Sequence, residues 1–542
     1  MSFKSGYTFW LKGVLLFPVI SGLLMLLAWP ATGIFPCLFV GLVPLFFAFD
    51  EVQKIQGKIK YLAVFLAGFI AHFTWIAFSL RWLSYTSPQS YLTAVIIESI
   101  SLSLATIPVI WIGMKYGRSW RFLFFMAAWL SVEWLNQFWL LGTPYFALGN
   151  GFGMYPKLIQ HYEYIGIEGG TVWLLVSNFL VYSLLIKAMS KKPVMKYSIL
   201  TAGVILLPLL LSIVMYSADT AGNRKARISV VQTFFEPGMQ QYADHPEIPV
   251  NRLLKYTAPA FENRSELVLW PEVIVNNLGW LINISQEKAF TEIYKSLGKY
   301  PRTTICTGGY GYTVAKREEA SDPYTRYMKS DNVYYRTHNI ALTVTYGGRS
   351  PIRSKEYFVP FQERIPFLKE MPFMANFADV VGANAMISHF PNGEEVHKTS
   401  TGISFTPVLC YESIFPVRIA QKAGKVQMIA ILANEFWNND LSGSEQYLYN
   451  NVGMAIQSRI PIAKSSNSGE SAIIDVKGNI LGKRIGNAVG LLTKDVELGS
   501  AEPTFYGMIS GAFYWIGVIG FIPFFSWCML AGIAGLFSKK PR

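Results

Sequence analysis

The sequence predicts a polytopic α-helical membrane protein that carries one large α/β domain. Three observations carry that expectation. Hydrophobic residues make up 52% of the 542 and charged residues only 15%, where a soluble protein holds about 25% charged. Long apolar segments recur through residues 1–216 and return near the C terminus. Between them, short β-rich runs alternate with helix-like stretches, the pattern of an α/β fold.

A bilayer core about 30 Å thick takes roughly 20 apolar residues as a helix. Spans on that scale are expected near 11–28, 34–49, 61–80, 91–113, 122–141, 165–186 and 199–216, with an eighth near 508–537. The second is short and holds Pro36 and Pro44. Basic residues mark alternate loops: Lys54, Lys58 and Lys60; Lys115, Arg118 and Arg121; Lys187, Lys191, Lys192 and Lys196; and Lys539, Lys540 and Arg542 at the end, with Lys4 and Lys12 at the start. The positive-inside rule then puts both termini in the cytoplasm and requires an even number of spans, so eight fit and residues 217–505 lie outside the cytoplasm. The expected organisation is helices one to seven in 1–216, an extracytoplasmic domain in 217–505, and a last helix with a cytoplasmic tail in 506–542. Basic flanks also account for the net charge of +13. No basic-aromatic module is present, so no nucleic-acid partner is expected. The first apolar run has no small-residue cleavage site and reads as an uncleaved span.

Within 217–505, β-rich runs fall at 228–232, 267–270, 303–307, 340–344, 405–409, 428–433 and 471–474, with helix-like stretches at 286–297 and 445–457. Glu98, Glu133 and His72 lie in apolar spans, where an ionisable residue is functional by default. The structural alternative pairs the carboxylates with Arg81 or with backbone between helices, and makes His72 an interhelical hydrogen-bonding group. The four cysteines, Cys37, Cys306, Cys410 and Cys528, form no short CxxC pair. Neither a zinc site nor a disulfide scaffold is expected.

Thr406-Pro407-Val408-Leu409-Cys410-Tyr411-Glu412 is an apolar run climbing to a single cysteine, and 413–423 has helical character up to Gly424. That reads as a strand, a sharp elbow and a helix. The helix N-terminus would favour a thiolate and its free N–H groups would hold an oxyanion. The plain alternative is a buried core cysteine. Two further stretches bear on the choice: Leu267-Val268-Leu269-Trp270-Pro271-Glu272, an apolar run ending in a carboxylate, and Ser354–Arg364, which opens on Lys355 and continues through Val359-Pro360-Phe361-Gln362-Glu363.

Glu272, Lys355 and Cys410, in that order and in those settings, resemble the catalytic triad of the nitrilase, or carbon–nitrogen hydrolase, superfamily. Eight spans around such a domain are similar to the apolipoprotein N-acyltransferase family, and the likeness extends to Glu133-Trp134-Leu135, Gly142-Thr143-Pro144-Tyr145 and Ser465-Ser466-Asn467-Ser468-Gly469. The resemblance implies a nitrilase-like α-β-β-α sandwich facing the periplasm from the inner membrane. It implies transfer of an acyl chain from a phospholipid, through a Cys410 thioester, to the α-amine of the N-terminal diacylglyceryl-cysteine of an apolipoprotein. Cys410 is then the nucleophile, Glu272 the general base and acid, and Lys355 with the Tyr411 N–H the oxyanion donors. The resemblance makes Glu363 a support of the triad and Glu412 the residue that places it; the dipole of a helix start offers Glu412 a plainer role. Trp437 is implied in the pocket. Phe358 and Phe361, with Phe367, Met371, Phe373, Met374 and Phe377, form an apolar cluster that is either an acyl-chain entrance resting on the bilayer or ordinary core. No cofactor or metal is expected; membrane lipid is the surrounding partner. The sequence departs from the family at Glu435, where Asp is usual, and at Lys464, where Arg is common. The rival readings are a membrane-anchored amidase hydrolysing a small amide, a non-enzymatic scaffold and a transporter. Eight spans exceed what an anchor needs, the intact triad argues against a relic, and only scattered polar residues lie in the spans.

Overall fold

The computed structural model describes residues 10–85, 87–218, 224–235, 245–275, 277–347, 350–374, 387–435, 441–500 and 502–516, with isolated positions beyond. The chain divides into two compact units, Met1–Ala218 with Met508–Arg542, and Asp219–Gly507.

In the helical unit a π-turn at Leu11–Leu16 runs into α1 (Phe17–Ala28). There follow α2 (Val43–Gln53), α3 (Ile59–Ser79), α4 (Pro88–Leu104), α5 (Ile107–Tyr116), α6 (Arg118–Asn136), α7 (Tyr162–Met189) and α8 (Met195–Ser217). Among the described residues, five stretches are long and apolar enough to cross a membrane: Leu11–Ala28, Phe35–Gln53, Ile59–Ser79, Tyr162–Met189 and Met195–Ser217. The expected fourth span is two helices, because Pro108 has no N–H to continue a helix and instead sits in the first turn of a new one. The expected fifth is α6, whose Arg118, Arg121 and Glu133 dilute its apolar character.

Broken backbone inside an apolar unit must find partners from neighbouring helices. Pro36 and Pro44 split the second span into a 3-10 turn, Phe35–Phe39, and α2. Asn178 of α7 repairs the gap: its Oδ1 accepts the Leu42 N–H at 2.8 Å and its Nδ2 donates to the Leu38 carbonyl at 2.7 Å. Glu133 accepts from the Leu148 N–H (2.9 Å), Trp129 Nε1 (2.8 Å) and Thr171 Oγ1 (2.8 Å), so it holds the loop after α6 between helices. Glu98 accepts from Asn136 Nδ2 at 3.5 Å, and His72 Nδ1 lies 3.2 Å from Ser103 Oγ. Glu133 thus binds backbone between helices and His72 meets a neighbouring helix, as the structural alternative had it, whereas Glu98 is held by a side-chain amide.

The second unit contains β1 (Lys225–Gln232), α9 (Glu247–Glu262), β2 (Leu267–Leu269), α10 (Lys288–Lys299), β3 (Thr304–Val314), β4 (Arg326–Met328), β5 (Val333–Val344), β6 (Ile352–Ser354), β7 (His397–Lys398), β8 (Ser404–Leu409), α11 (Pro416–Ala420), β9 (Met428–Asn434), α12 (Ser442–Ser458), β10 (Ile462–Asn467), β11 (Glu470–Ile474), β12 (Ile480–Ile485) and β13 (Gly490–Glu497). α13 (Phe505–Ile516) follows; most of the rest of the expected eighth span, Cys528 included, lies outside the described residues. A seven-stranded sheet has the order β13-β1-β2-β3-β5-β4 with β6 on β5, and a six-stranded sheet the order β12-β11-β10-β9-β8-β7. β1, β2 and β3 pair in parallel, as do β8, β9 and β10. Parallel strands with both faces covered are apolar throughout, which is why 267–270 and 428–433 read as unbroken apolar runs. One face of each sheet meets the other through Ile228, Leu269, Phe405, Leu409, Met428 and Leu432. The outer face of the first sheet packs on α9 and α10 through Val268, Leu253, Phe261 and Ile293. α12 packs against β11 of the second. The layers are therefore α-β-β-α.

Candidate active site

The three candidate catalytic residues sit just past strand ends. Glu272 follows β2, Lys355 follows β6 and Cys410 follows β8. A side chain on Gly308 of β3 would lie 2.8 Å from the Glu272 Cα, so only glycine lets the Glu272 turn pass. Backbone strain gathers at the same place. Cys410 has φ +46°, Val273 beside Glu272 has φ +57° and Phe361 has φ +64°. Such conformations cost about 1–3 kcal/mol each and persist where the surroundings enforce them.

The elbow at Cys410 is present, but the helix after it differs from expectation. Residues Cys410–Ile414 form a 3-10 turn, Phe415 is extended, and α11 spans only Pro416–Ala420. Pro416 restarts the chain rather than continuing one helix through 413–423. Few aligned peptide dipoles face the sulfur, and the thiol is not depressed. Its pKa is raised well above the usual thiol range, by loss of hydration first, then by Glu272, Glu435 and Glu363, with Lys355 opposing. The resting sulfur is a protonated thiol, and it needs a base.

Two carboxylates and one ammonium act on that thiol. Lys355 Nζ donates to Glu272 Oε1 at 3.0 Å and to Glu363 Oε1 at 2.7 Å. Its burial opposes the charge, but Glu272, Glu363 and Cys410 outweigh burial and hold the pKa well above the usual lysine range. Lys355 is therefore charged and fully buried. The two carboxylates differ. Glu363 Oε2 accepts the Val359 N–H at 2.8 Å, so both its oxygens are engaged. Glu272 is engaged through Oε1 by Lys355 and Asn339; among the described residues no donor is found on Oε2. The Glu272 pKa is raised, by desolvation first, with Lys355 opposing and Glu363 adding. A carboxylate with a raised pKa and one available oxygen suits proton transfer.

Glu412 ties two of these segments together. It pairs with Arg353, with Nη1 to Oε2 at 2.6 Å, and both side chains are buried. It also accepts the Leu409 N–H at 2.9 Å and the Glu356 N–H at 2.7 Å, from the residues next to Cys410 and Lys355. Burial raises its pKa, but Arg353 and these N–H groups outweigh burial and hold it below the usual range. Its charge therefore stabilises the fold fully above the ordinary glutamate pKa of about 4.3, and that contribution is lost as pH falls through the depressed folded value. Glu412→Gln strands Arg353 and should cost about 3–5 kcal/mol, read as a lower Tm at neutral pH. The gap to the wild type should narrow in acid. An equal Tm at neutral pH would refute the role.

Tyr411 is buried, its ring edge-on to Phe415 at 5.6 Å. Phe358 and Phe361 point inward, and Arg364 stacks on the Phe358 ring at 5.4 Å. The exposed members of the apolar cluster are Met371 and Phe373. Trp437 and Phe377 lie outside the described residues. Glu435 and Lys464 form one buried pair at 2.6 Å, and Ser444 and Ser466 also donate to Glu435. A longer acid thus meets a shorter base. Sequence reasoning missed Asn339 and Arg353. The one signal was the place of Asn339, directly before the apolar run 340–344.

A model of the apolipoprotein N-acyltransferase N-terminal domain matches residues 21–180, and a model of carbon-nitrogen hydrolase matches residues 227–506. An apolipoprotein N-acyltransferase of Chlorobaculum tepidum is 23% identical over 509 residues, covering 90% of this chain and 91% of the relative. One of Geobacter metallireducens is 24% identical over 536 residues, with 93% of each covered. One of Rhizobium rhizogenes is 23% identical over 543 residues, with 94% of each covered. With an apolar helical region joined to a two-sheet domain whose glutamate, lysine and cysteine meet at strand ends, the chain belongs to the carbon–nitrogen hydrolase family, in its apolipoprotein N-acyltransferase group.

Proposed function

We propose that the protein moves an acyl chain from a phospholipid, through a thioester on Cys410, to the α-amine of the N-terminal S-diacylglyceryl-cysteine of apolipoproteins. The observation that carries this reading is the carboxylate–ammonium–carboxylate cluster beside a protonated thiol. Glu272 takes the Cys410 proton as sulfur attacks the ester carbonyl. Lys355 and the Tyr411 N–H receive the tetrahedral oxyanion, each worth roughly 3–4 kcal/mol. The intermediate collapses to the thioester, and Glu272 returns the proton to the leaving lysophospholipid oxygen. In the second half the amine attacks the thioester, Glu272 takes the amine proton, and the thiol is restored. Glu363 acts as the fixed counter-charge to Lys355.

The family carries both substrates in a bilayer, and this chain supplies the apolar helices. We infer eight spans, an inner-membrane location and a periplasmic catalytic domain, with Met371 and Phe373 at the acyl entrance and Trp437 in the pocket. The basic loops support the orientation. A cytoplasm-active reporter fused near Gly222 should be silent, and an active one would overturn it.

The chemistry is tested by mixing purified protein with phospholipid and measuring intact mass. An acyl-sized adduct on Cys410 should form, then pass to a diacylglyceryl-cysteine peptide with a free α-amine. Release to water alone, with no amide product, would point to a hydrolase and refute the transferase.

A further inference from the structure

Asn339 lies mid-strand in β5, fully buried, and its side chain reaches the cluster from the sheet. Its Nδ2 donates to Glu272 Oε1 at 2.8 Å and to Glu363 Oε1 at 3.3 Å. Those are the two oxygens that Lys355 Nζ also binds. One oxygen of each carboxylate is therefore held by an ammonium and an amide together. The Asn339 carbonyl also accepts the Lys355 N–H at 2.9 Å, so this residue fixes the lysine backbone as well. The amide orientation follows from chemistry, since the reverse would press a third acceptor against two carboxylates. The orientation leaves Asn339 Oδ1 buried with no hydrogen-bond partner among the described residues. A buried acceptor left unmade costs about 1–3 kcal/mol. A residue selected for packing alone would not keep that cost.

We propose that Asn339 is a positioning residue for acyl transfer: its amide clamps Glu272 and Glu363 side by side on Lys355 and turns Glu272 Oε2 toward proton transfer. The proposal rests on the assignment of Glu272 as base. A neutral donor does what a second cation would not. It binds two like charges together without adding charge that would hold the Glu272 proton off. The charged and titratable groups around Glu272 are Lys355 and Glu363 from the loop after β6, Tyr310 from β3, and Cys410 and Glu435 from the ends of β8 and β9. None of them changes when Asn339 is replaced, so a shift in the pH profile reports the amide.

The test is single-turnover acylation of Cys410 followed by intact mass against pH, in full-length protein with phospholipid. Removing a donor to the charged form raises a carboxylate's pKa. Asn339→Leu should slow acylation about 10–100-fold at neutral pH and move the acid limb upward by at least half a pH unit. Asn339→Asp keeps the shape but adds a third carboxylate, and its limb should lie higher still. A wild-type limb in both variants overturns the proposal, whether or not the rate falls, because a structural residue would lower the rate at every pH alike. Glu272→Gln separates the two claims. Full acylation in that variant sinks the base assignment, whatever Asn339 does.

Discussion

Cys410→Ala should abolish acyl transfer and leave no acyl adduct on the protein, while the chain still inserts and its catalytic unit still folds. The reasoning is geometric. Cys410 stands at a strained elbow with φ +46°, where Glu272 and Lys355 both act on its thiol. Alanine occupies the same backbone at a similar strain, so stability should change little. The loss is confined to the nucleophile, and a missing nucleophile leaves only what binding and the oxyanion donors provide. The other cysteines do not share that position. Cys306 is buried in β3, and its thiol is pushed up to about 12 by loss of hydration, with Thr343 opposing; Cys37 lies in the 3-10 turn of the helical unit. Cys37→Ala, Cys306→Ala and Cys528→Ala should keep most of the activity. Transfer at wild-type rate in Cys410→Ala would end the thioester reading.

What was legible in the sequence follows a physical division. Cys410 and Glu272 end apolar strands, and an unbroken apolar run that stops at one chemical group is visible along the chain. Lys355 was visible through its motif. Asn339 and Arg353 were not, because their partners lie 67 and 59 residues away, Asn339 meeting Glu272 within one sheet and Arg353 meeting Glu412 from the other. β6 is itself only three residues, too short for a period to register. The helix predicted after Cys410 failed on Pro416, and the single fourth span failed on Pro108; in both, local apolar character outweighed a proline that decided the backbone. The matched pair of Glu435 and Lys464 was read as two separate departures, since nothing in one dimension says that residues 29 apart touch.

Lys355→Met should slow acylation of Cys410 by about 10²–10³-fold with little loss of phospholipid binding, and a second substitution should not restore it. Two roles for Lys355 compete. As a counter-charge it holds Glu272 and Glu363 together, at 3.0 and 2.7 Å. As an oxyanion donor it acts only in the transition state. Pairing Lys355→Met with Glu272→Gln separates these poorly, because Glu272 is itself the proposed base and its loss should be disabling. Glu363 offers the cleaner control, since both its oxygens are engaged by donors. Lys355→Met with Glu363→Gln removes one positive and one negative charge, so the site keeps its net charge and one of the two carboxylates stranded in the single variant is gone. If Lys355 were only a counter-charge, that pair should recover most of the lost rate. If it donates to the oxyanion, the pair stays near the single variant, because no change at Glu363 supplies a donor. Lys355→Arg keeps the charge but presents a planar fork in place of a point donor, so it should rescue poorly. Thermal unfolding of each variant separates loss of fold from loss of chemistry, since Lys355→Met alone strands two buried carboxylates. Near-normal acylation in the charge-conserving pair would leave Lys355 as a structural counter-ion and move the oxyanion to backbone N–H groups.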